Sequence, residues 1–146
     1  MIALVQRVAN ARVEVAGAVL GAIGAGLLVL VCAEPHDSEV QAARLLDKLL
    51  KLRIFNDADG KMNRSLLDVN GGLLIVSQFT LAADLRSGNR PSFKGAAPAV
   101  LGRALYEELL RLARAAHPVV AAGEFGAHMQ VHSVNDGPVT IPLRVN

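Results

Sequence analysis

Two short polar segments interrupt an otherwise apolar chain, and each could do chemistry without a conventional side-chain nucleophile. Ser77-Gln78-Phe79-Thr80-Leu81 follows directly on the apolar run Leu73-Leu74-Ile75-Val76. A buried strand holds its backbone rigidly. Where that strand ends, the amides of Phe79 and Thr80 lose their ladder partners and are free to point at a ligand. Two N–H groups aimed at one oxygen form an oxyanion hole, with each donor worth about 3 kcal/mol of transition-state stabilisation. The Thr80 hydroxyl is a possible nucleophile in its own right, but it needs a neighbouring base and the sequence names none. The second segment is Asn135-Asp136-Gly137-Pro138-Val139-Thr140. Its Gly-Pro bond has a weaker trans preference than other peptide bonds, so either isomer is accessible. Taken singly, the first segment also reads as a polar strand end capping a sheet, and the second as a plain Gly-Pro turn.

Other chemistries have no support in the residues. There is no Gly-x-Ser-x-Gly elbow, no His-Glu-x-x-His and no phosphate-binding Walker loop. His36, His117, His128 and His132 form no familiar ligand spacing. His128 and His132 share a face on a strand or a helix, yet no third metal ligand is evident, so no metal is assigned. His117 beside Pro118 reads as a helix-terminal cap. Asp57-Ala58-Asp59-Gly60 resembles the start of a calcium loop, but the twelve-residue ligand pattern does not follow, leaving a solvated turn. Cys32, the single cysteine, lies inside an apolar run and reads as a buried small hydrophobe.

The elements that must hold these segments follow from periodicity. Residues 2–8 read as a strand, Arg12–Val15 and Val19–Ile23 as a hairpin about Ala16-Gly17-Ala18. Leu27–Ala33 lacks alternation, which predicts a strand buried on both faces. Ser38 followed by Gln41 is a capping box. It opens a helix to about Leu52, with Val40, Ala43, Leu46, Leu49 and Leu50 as the apolar stripe. Leu73–Val76 is a second buried strand. Residues 84–94 form a polar basic loop in which Arg86, Arg90 and Lys94 are candidate phosphate contacts. Pro98 is placed as the first residue of a second helix with the stripe Leu101, Leu105, Leu109 and Leu112. Val119–Ala122, Ala127–Val134 and Val139–Val145 complete the strands. Pro142 favours an edge or an interrupted strand, which puts C-terminal pairing in doubt. The order is mixed α/β with hairpins at both ends, within one domain spanning 1–146.

Composition sets the bounds. A chain of 146 residues buries about 70% of its unfolded surface and needs no staple. Its 52% hydrophobic content implies a thick core and apolar surface hidden in an oligomer. The longest apolar run, Leu27–Ala33, falls far short of a membrane span, and no signal peptide is visible. A reduced cytoplasmic setting is expected. The net charge of +2 permits contact with phosphate without demanding it. Aromatic residues at 3% argue against a base-stacking platform, so any RNA is gripped over a small part.

The two polar segments together, and the chain from Met1-Ile2-Ala3-Leu4-Val5-Gln6-Arg7-Val8 to the Val139 strand, resemble the D-aminoacyl-tRNA deacylases. The resemblance implies a β-barrel-like core of two β-rich halves, each with a helix, and a tight homodimer. It implies hydrolysis of the ester between a D-amino acid, or mischarged glycine, and tRNA, with no cofactor. Phe79 and Thr80 would supply the oxyanion hole, and Ser77 and Gln78 would form and support the pocket. Asn135, Gly137 and Pro138 would belong to a Gly–cis-Pro element inserted from one subunit into the other's site. Its carbonyls would bind the substrate's ammonium and crowd out an L side chain, a specificity by exclusion. Arg7 matches a residue beside that element, and Phe93 and Met129 match positions near the pocket. The partner implied is the aminoacylated 3′ end of tRNA, with neither DNA nor a membrane. Two other readings keep part of this picture. One is a deacylase of the same fold for mischarged L-aminoacyl-tRNA. The other is a non-catalytic module binding the tRNA acceptor end. A purely structural dimer is a third.

Overall fold

The structure, a computed structural model, describes residues 1–146. Its first strand, β1 (Ile2–Val15), is long enough to serve three partners. β2 (Ala18–Ile23) returns antiparallel along its second half, and β3 (Gly26–Cys32) runs antiparallel along its first half. β6 (Gly72–Ser77) lies parallel to β3, and β7 (Val120–Ala122) lies parallel to β6. β8 (Gln130–Arg144) pairs antiparallel with β1 from Ile2↔Arg144 to Glu14↔Gln130. The sheet curls until β2 meets β7. At Gly21 a Cβ would stand 2.9 Å from the Ala122 carbonyl oxygen, so only glycine lets the two backbones approach. The result is a nearly closed barrel.

The sequence-predicted burial of β3 on both faces holds, for a physical reason now visible. Leu27, Val29 and Val31 face a cluster shared with Leu73 and Ile75 of β6 and with two helices. Leu28 joins Val8, Val13, Leu74 and Val76 in a second cluster on the opposite face. Each fully buried Leu or Val contributes about 1.5–3 kcal/mol. The helices are α1 (Glu39–Lys51) and α3 (Ala99–Ala116). Ser38 and Gln41 close the capping box of α1 as its sequence requires. The buried stripe of α1 is Ala42, Leu45, Leu46, Leu49 and Leu50. Val40 and Ala43, predicted to be part of it, are exposed, Val40 by 54%, because the stripe centred on Leu45 and Leu49 turns both to solvent.

Other elements depart from the sequence reading. The separate strands predicted at 2–8 and 12–15 are one strand, and those at 127–134 and 139–145 merge into one that begins only at Gln130 and ends at Arg144. Pro98 is the N-cap of α3 rather than its first residue, so the helix begins at Ala99, one residue after the predicted start. Between α1 and β6 lie a small hairpin, β4 (Phe55–Asn56) with β5 (Met62–Arg64), and a single-turn helix, α2 (Leu66–Val69). Asp57 organises the hairpin turn, its carboxylate accepting from the Asp59 and Lys61 amides. The doubt raised by Pro142 is corrected: it sits opposite Leu4 and pairing continues to Arg144. β8 pairs with β1 alone, so the missing N–H breaks no second ladder.

Candidate active site

β6 ends at Ser77, which sits opposite Val31 of β3. The Gln78 amide donates the last rung to the Val31 carbonyl at 2.7 Å. The chain then coils into a 3-10 turn, Phe79–Ala82. The Leu81 amide returns to the Gln78 carbonyl at 3.2 Å, and the Ala83 amide to the Thr80 carbonyl at 3.1 Å. Phe79 and Thr80 occupy the first two positions of the turn, where a helical backbone has no carbonyl to offer. Their N–H groups accordingly have no acceptor within the chain. The sequence predicted loss of ladder partners at these two residues. The 3-10 turn is the device that achieves it.

Side chains around the turn are fixed. The Gln78 amide nitrogen donates to the Thr80 hydroxyl. No imidazole, carboxylate or amine bonds to that hydroxyl. The Phe79 ring meets Phe93 edge to face, centroids 5.0 Å apart. A cavity of about 580 Å³ opens beside the turn, and Ser77, Gln78, Phe79, Phe93 and Met129 all line it. Five sequence-predicted residues, from three separate stretches of chain, are thus brought to one cavity. Thr80 is not among its lining residues, nor are Asn135, Gly137, Pro138 and Arg7.

The cavity has walls that the sequence reading overlooked. Tyr106 and Phe125 stand across it from the turn-bearing strand, their rings 6.0 Å apart. The Tyr106 hydroxyl lies 2.9 Å from each of the Ile75 and Gly123 carbonyls, tying α3 to the end of β6. Burial pushes its phenol up to about 12. Arg103 stacks over Phe125 at 4.9 Å. The available signal was that Tyr106 is the only tyrosine in the chain, placed inside the stripe between Leu105 and Leu109. Cys32 also borders the cavity. Burial, then the charge of Glu34, pushes its thiol up to about 11. It stays protonated near neutral pH and is a poor nucleophile, as its apolar setting in the sequence suggested.

The second motif lies within β8 as a large bulge. Gln6 pairs with Thr140 and Val8 with Asn135, so the four residues Asp136 to Val139 oppose Arg7 alone. Gly137–Pro138 is the one cis peptide bond of the chain. Asn135 closes the base of the bulge, its side-chain nitrogen donating to the Arg7 and Val139 carbonyls at 3.0 Å each. Arg7, which the resemblance places beside this element, is 8% exposed. Its Nε donates to the Asp136 carbonyl at 3.0 Å, and its Nη1 donates to the Ile54 carbonyl at 2.7 Å. Asn56 Oδ1 accepts from the same nitrogen at 3.3 Å. The guanidinium therefore bolts the bulge to the β4 hairpin, while Gly137 and Pro138 themselves stand exposed.

Arg7→Ala strands three acceptors around a buried gap. It is expected to lower unfolding free energy by about 2–4 kcal/mol, given charged hydrogen bonds of about 1.5–3 kcal/mol each. Urea denaturation measures this directly. Arg7→Lys is expected to recover little, because one ammonium cannot reproduce the fork. A loss near zero would show that the bulge holds itself.

Two of the four histidines have structural partners. His117 caps α3, its amide donating to the Ala113 carbonyl at 2.9 Å, and its Nε2 lies 2.6 Å from the Gly71 carbonyl. His132 faces Glu14 with Nε2 3.5 Å from Oε2.

Comparison with known proteins bears on what this arrangement does. The D-aminoacyl-tRNA deacylase of Variovorax paradoxus strain S110 is 67% identical over 145 residues, covering 99% of both chains. That of Aromatoleum aromaticum is also 67% identical over 145 residues, covering 99% of this chain and 95% of its own. Among solved structures, a protein named c-Myc DNA Unwinding Element Binding Protein superposes with a TM-score of 0.94 at 40% identity. That match covers 100% of this chain and 99% of the other. The family model described as D-Tyr-tRNA(Tyr) deacylase matches residues 4–144, and with both motif-bearing segments inside that span the chain belongs to this family.

Proposed function

We propose that this family's reaction, hydrolysis of the ester joining a D-amino acid to tRNA, occurs in this chain at the Phe79–Thr80 turn. The Gly137–Pro138 bulge of a second copy acts as the chirality filter. One observation carries the reading. Each chain holds an incomplete site: a cavity bordered by Phe79, two unpartnered amides at the turn beside it, and elsewhere a rigidly anchored, exposed bulge that does not line that cavity. A homodimer in which each bulge enters the other's cavity completes both sites. A cavity of about 580 Å³ suits the terminal aminoacyl-adenosine. The two N–H groups would stabilise the developing oxyanion as water attacks the ester carbonyl. The free ribose hydroxyl beside the ester is positioned to assist that water. The Thr80 hydroxyl is not assigned as nucleophile, since its partner is Gln78 and not a base. Ser77, Gln78, Phe93 and Met129 shape the cavity. Asn135 and Arg7 hold the filter. The discrimination is by exclusion, so glycine passes with the D-amino acids while L-amino acids do not. The work is chiral proofreading in the cytoplasm, in trans to the enzymes that charge tRNA.

The test compares D-tyrosyl-tRNA with L-tyrosyl-tRNA, with and without a chelator. Selective loss of the D-ester, unaffected by chelator, is expected, because the proposed donors are backbone amides. Cleavage of both esters would sink the exclusion mechanism. Binding of tRNA with cleavage of neither would point to the module that only binds the acceptor end. Cleavage of the L-ester alone would favour the sister deacylase. A DNA oligonucleotide belongs in the same assay as competitor, since the structural relative at 40% identity is named for a DNA element.

A further inference from the structure

A second cavity, of about 520 Å³, begins where the 3-10 turn ends. It is polar where the first is apolar. Ala82, the last residue of the turn, forms one side with Ala83, and Asp84, Arg86, Ser92, Lys94 and Gly95 form the rest. The loop around it is closed by paired backbone bonds between Asp84 and Ser92, at 2.8 and 2.9 Å. Three cations of this loop stood as phosphate candidates in the sequence, and the structure separates them. Arg86 is folded back onto Asp84, its Nη2 2.6 Å from Oδ2 and its Nε 3.0 Å from Oδ1. That pairing holds the Asp84 carboxyl down to about 2, so the pair is internally neutral at any working pH. Arg90 does not line the cavity. Lys94 lines it, is exposed, and has no carboxylate within ion-pair distance.

The two cavities share a wall at single-residue resolution. Phe93 faces the apolar cavity against Phe79, and the next residue, Lys94, faces the polar one. A ligand spanning both must be apolar and flat-faced at one end and carry a single anionic group one step along its chain. A nucleoside ester that continues into a phosphodiester has that pattern. We infer that Lys94 seats the phosphate joining the terminal nucleoside of tRNA to its neighbour. The cavity beyond Ala82 is then a subsite for the single-stranded acceptor end, with the Ser92 hydroxyl available as a second donor. The inference rests on the placement of the ester at the Phe79–Thr80 turn.

The experiment uses two substrates, full D-tyrosyl-tRNA and D-tyrosine esterified to adenosine, which lacks the phosphate. Lys94→Gln is expected to raise KM for the tRNA about tenfold, the scale of one charge-assisted hydrogen bond, and to leave kcat in place. The same variant is expected to treat the adenosine ester as wild type does. The dependence of log(kcat/KM) on log[salt] for tRNA should become shallower by about 0.7, one single-strand phosphate contact. Lys94→Arg should restore both. An equal loss on both substrates, or an unchanged KM and salt slope on tRNA, overturns the subsite. Misplacement of the ester itself reads out differently, as an unaltered kcat when the Thr80 amide is removed.

Discussion

Removing the N–H of Thr80, by installing the α-hydroxy acid counterpart of threonine so that an ester oxygen replaces the amide, lowers kcat on D-aminoacyl-tRNA about 10²–10³-fold. KM is expected to change little, because the ground-state carbonyl needs the donor less than the oxyanion does. The substitution is clean for a structural reason. This amide bonds to nothing in the folded chain, so its loss breaks no rung of β6 and no bond of the turn. Stability should follow wild type, and a thermal melt checks that. The corresponding change at Leu81, whose amide bonds to the Gln78 carbonyl at 3.2 Å, serves as the contrast: it costs stability and spares chemistry. If the Thr80 variant keeps kcat within about threefold, the oxyanion role is wrong, since one such donor is normally worth far more.

The second large effect is expected at Gly137. Its φ is +131°, a region that L side chains rarely adopt. An added Cβ would also meet Val139 Cγ2 at 2.8 Å and Arg7 Nη2 at 3.0 Å. Gly137→Ala must therefore displace the bulge or push the arginine off its carbonyls. A displacement on the order of 1 Å is enough to cost about 10² in rate at a positioned site. The expected result is a roughly hundredfold loss of kcat/KM for the D-ester and a collapse of the D-to-L ratio by a similar factor. Mixing supplies the decisive arm. Gly137→Ala chains keep an intact turn, and Thr80-ester chains keep an intact bulge. If sites are completed across copies, refolding the two together returns roughly a quarter of wild-type activity. Half of random pairs are mixed, and each mixed pair holds one fully native site. If the bulge serves its own chain, mixing returns nothing.

What could be read in advance differed by kind of information. Local chemistry was legible: the capping box at Ser38, the two-faced burial of Leu27–Val31, and the end of a rigid strand at Ser77 are each written in neighbouring residues. The Phe79–Thr80 amides were legible for the same reason, since a polar break after four apolar residues is a strand end. The continuity of β8 was not. Asn135-Asp136-Gly137-Pro138 has turn composition, and only the length of β1 opposite it makes the segment a bulge within one strand. The acceptors of Arg7, Ile54 and Asp136, lie far along the chain, so its burial was not readable from its neighbours in β1. Tyr106 was passed over because it occupies a helix stripe, where an aromatic ring looks like packing. Only the family resemblance, not the residues taken by themselves, set the two motifs apart on one chain.

The two free amides at the start of the 3-10 turn belong to the main chain, and every residue except proline carries one. Codon changes at positions 79 and 80 can alter what surrounds the donors but seldom delete them. Side-chain scanning is therefore nearly blind to the groups that would matter most, and drift at these positions degrades fit before it degrades chemistry. A compound that bound by accepting both N–H bonds would meet the same constraint from the other direction, since the chain has few single-residue routes to resistance against it.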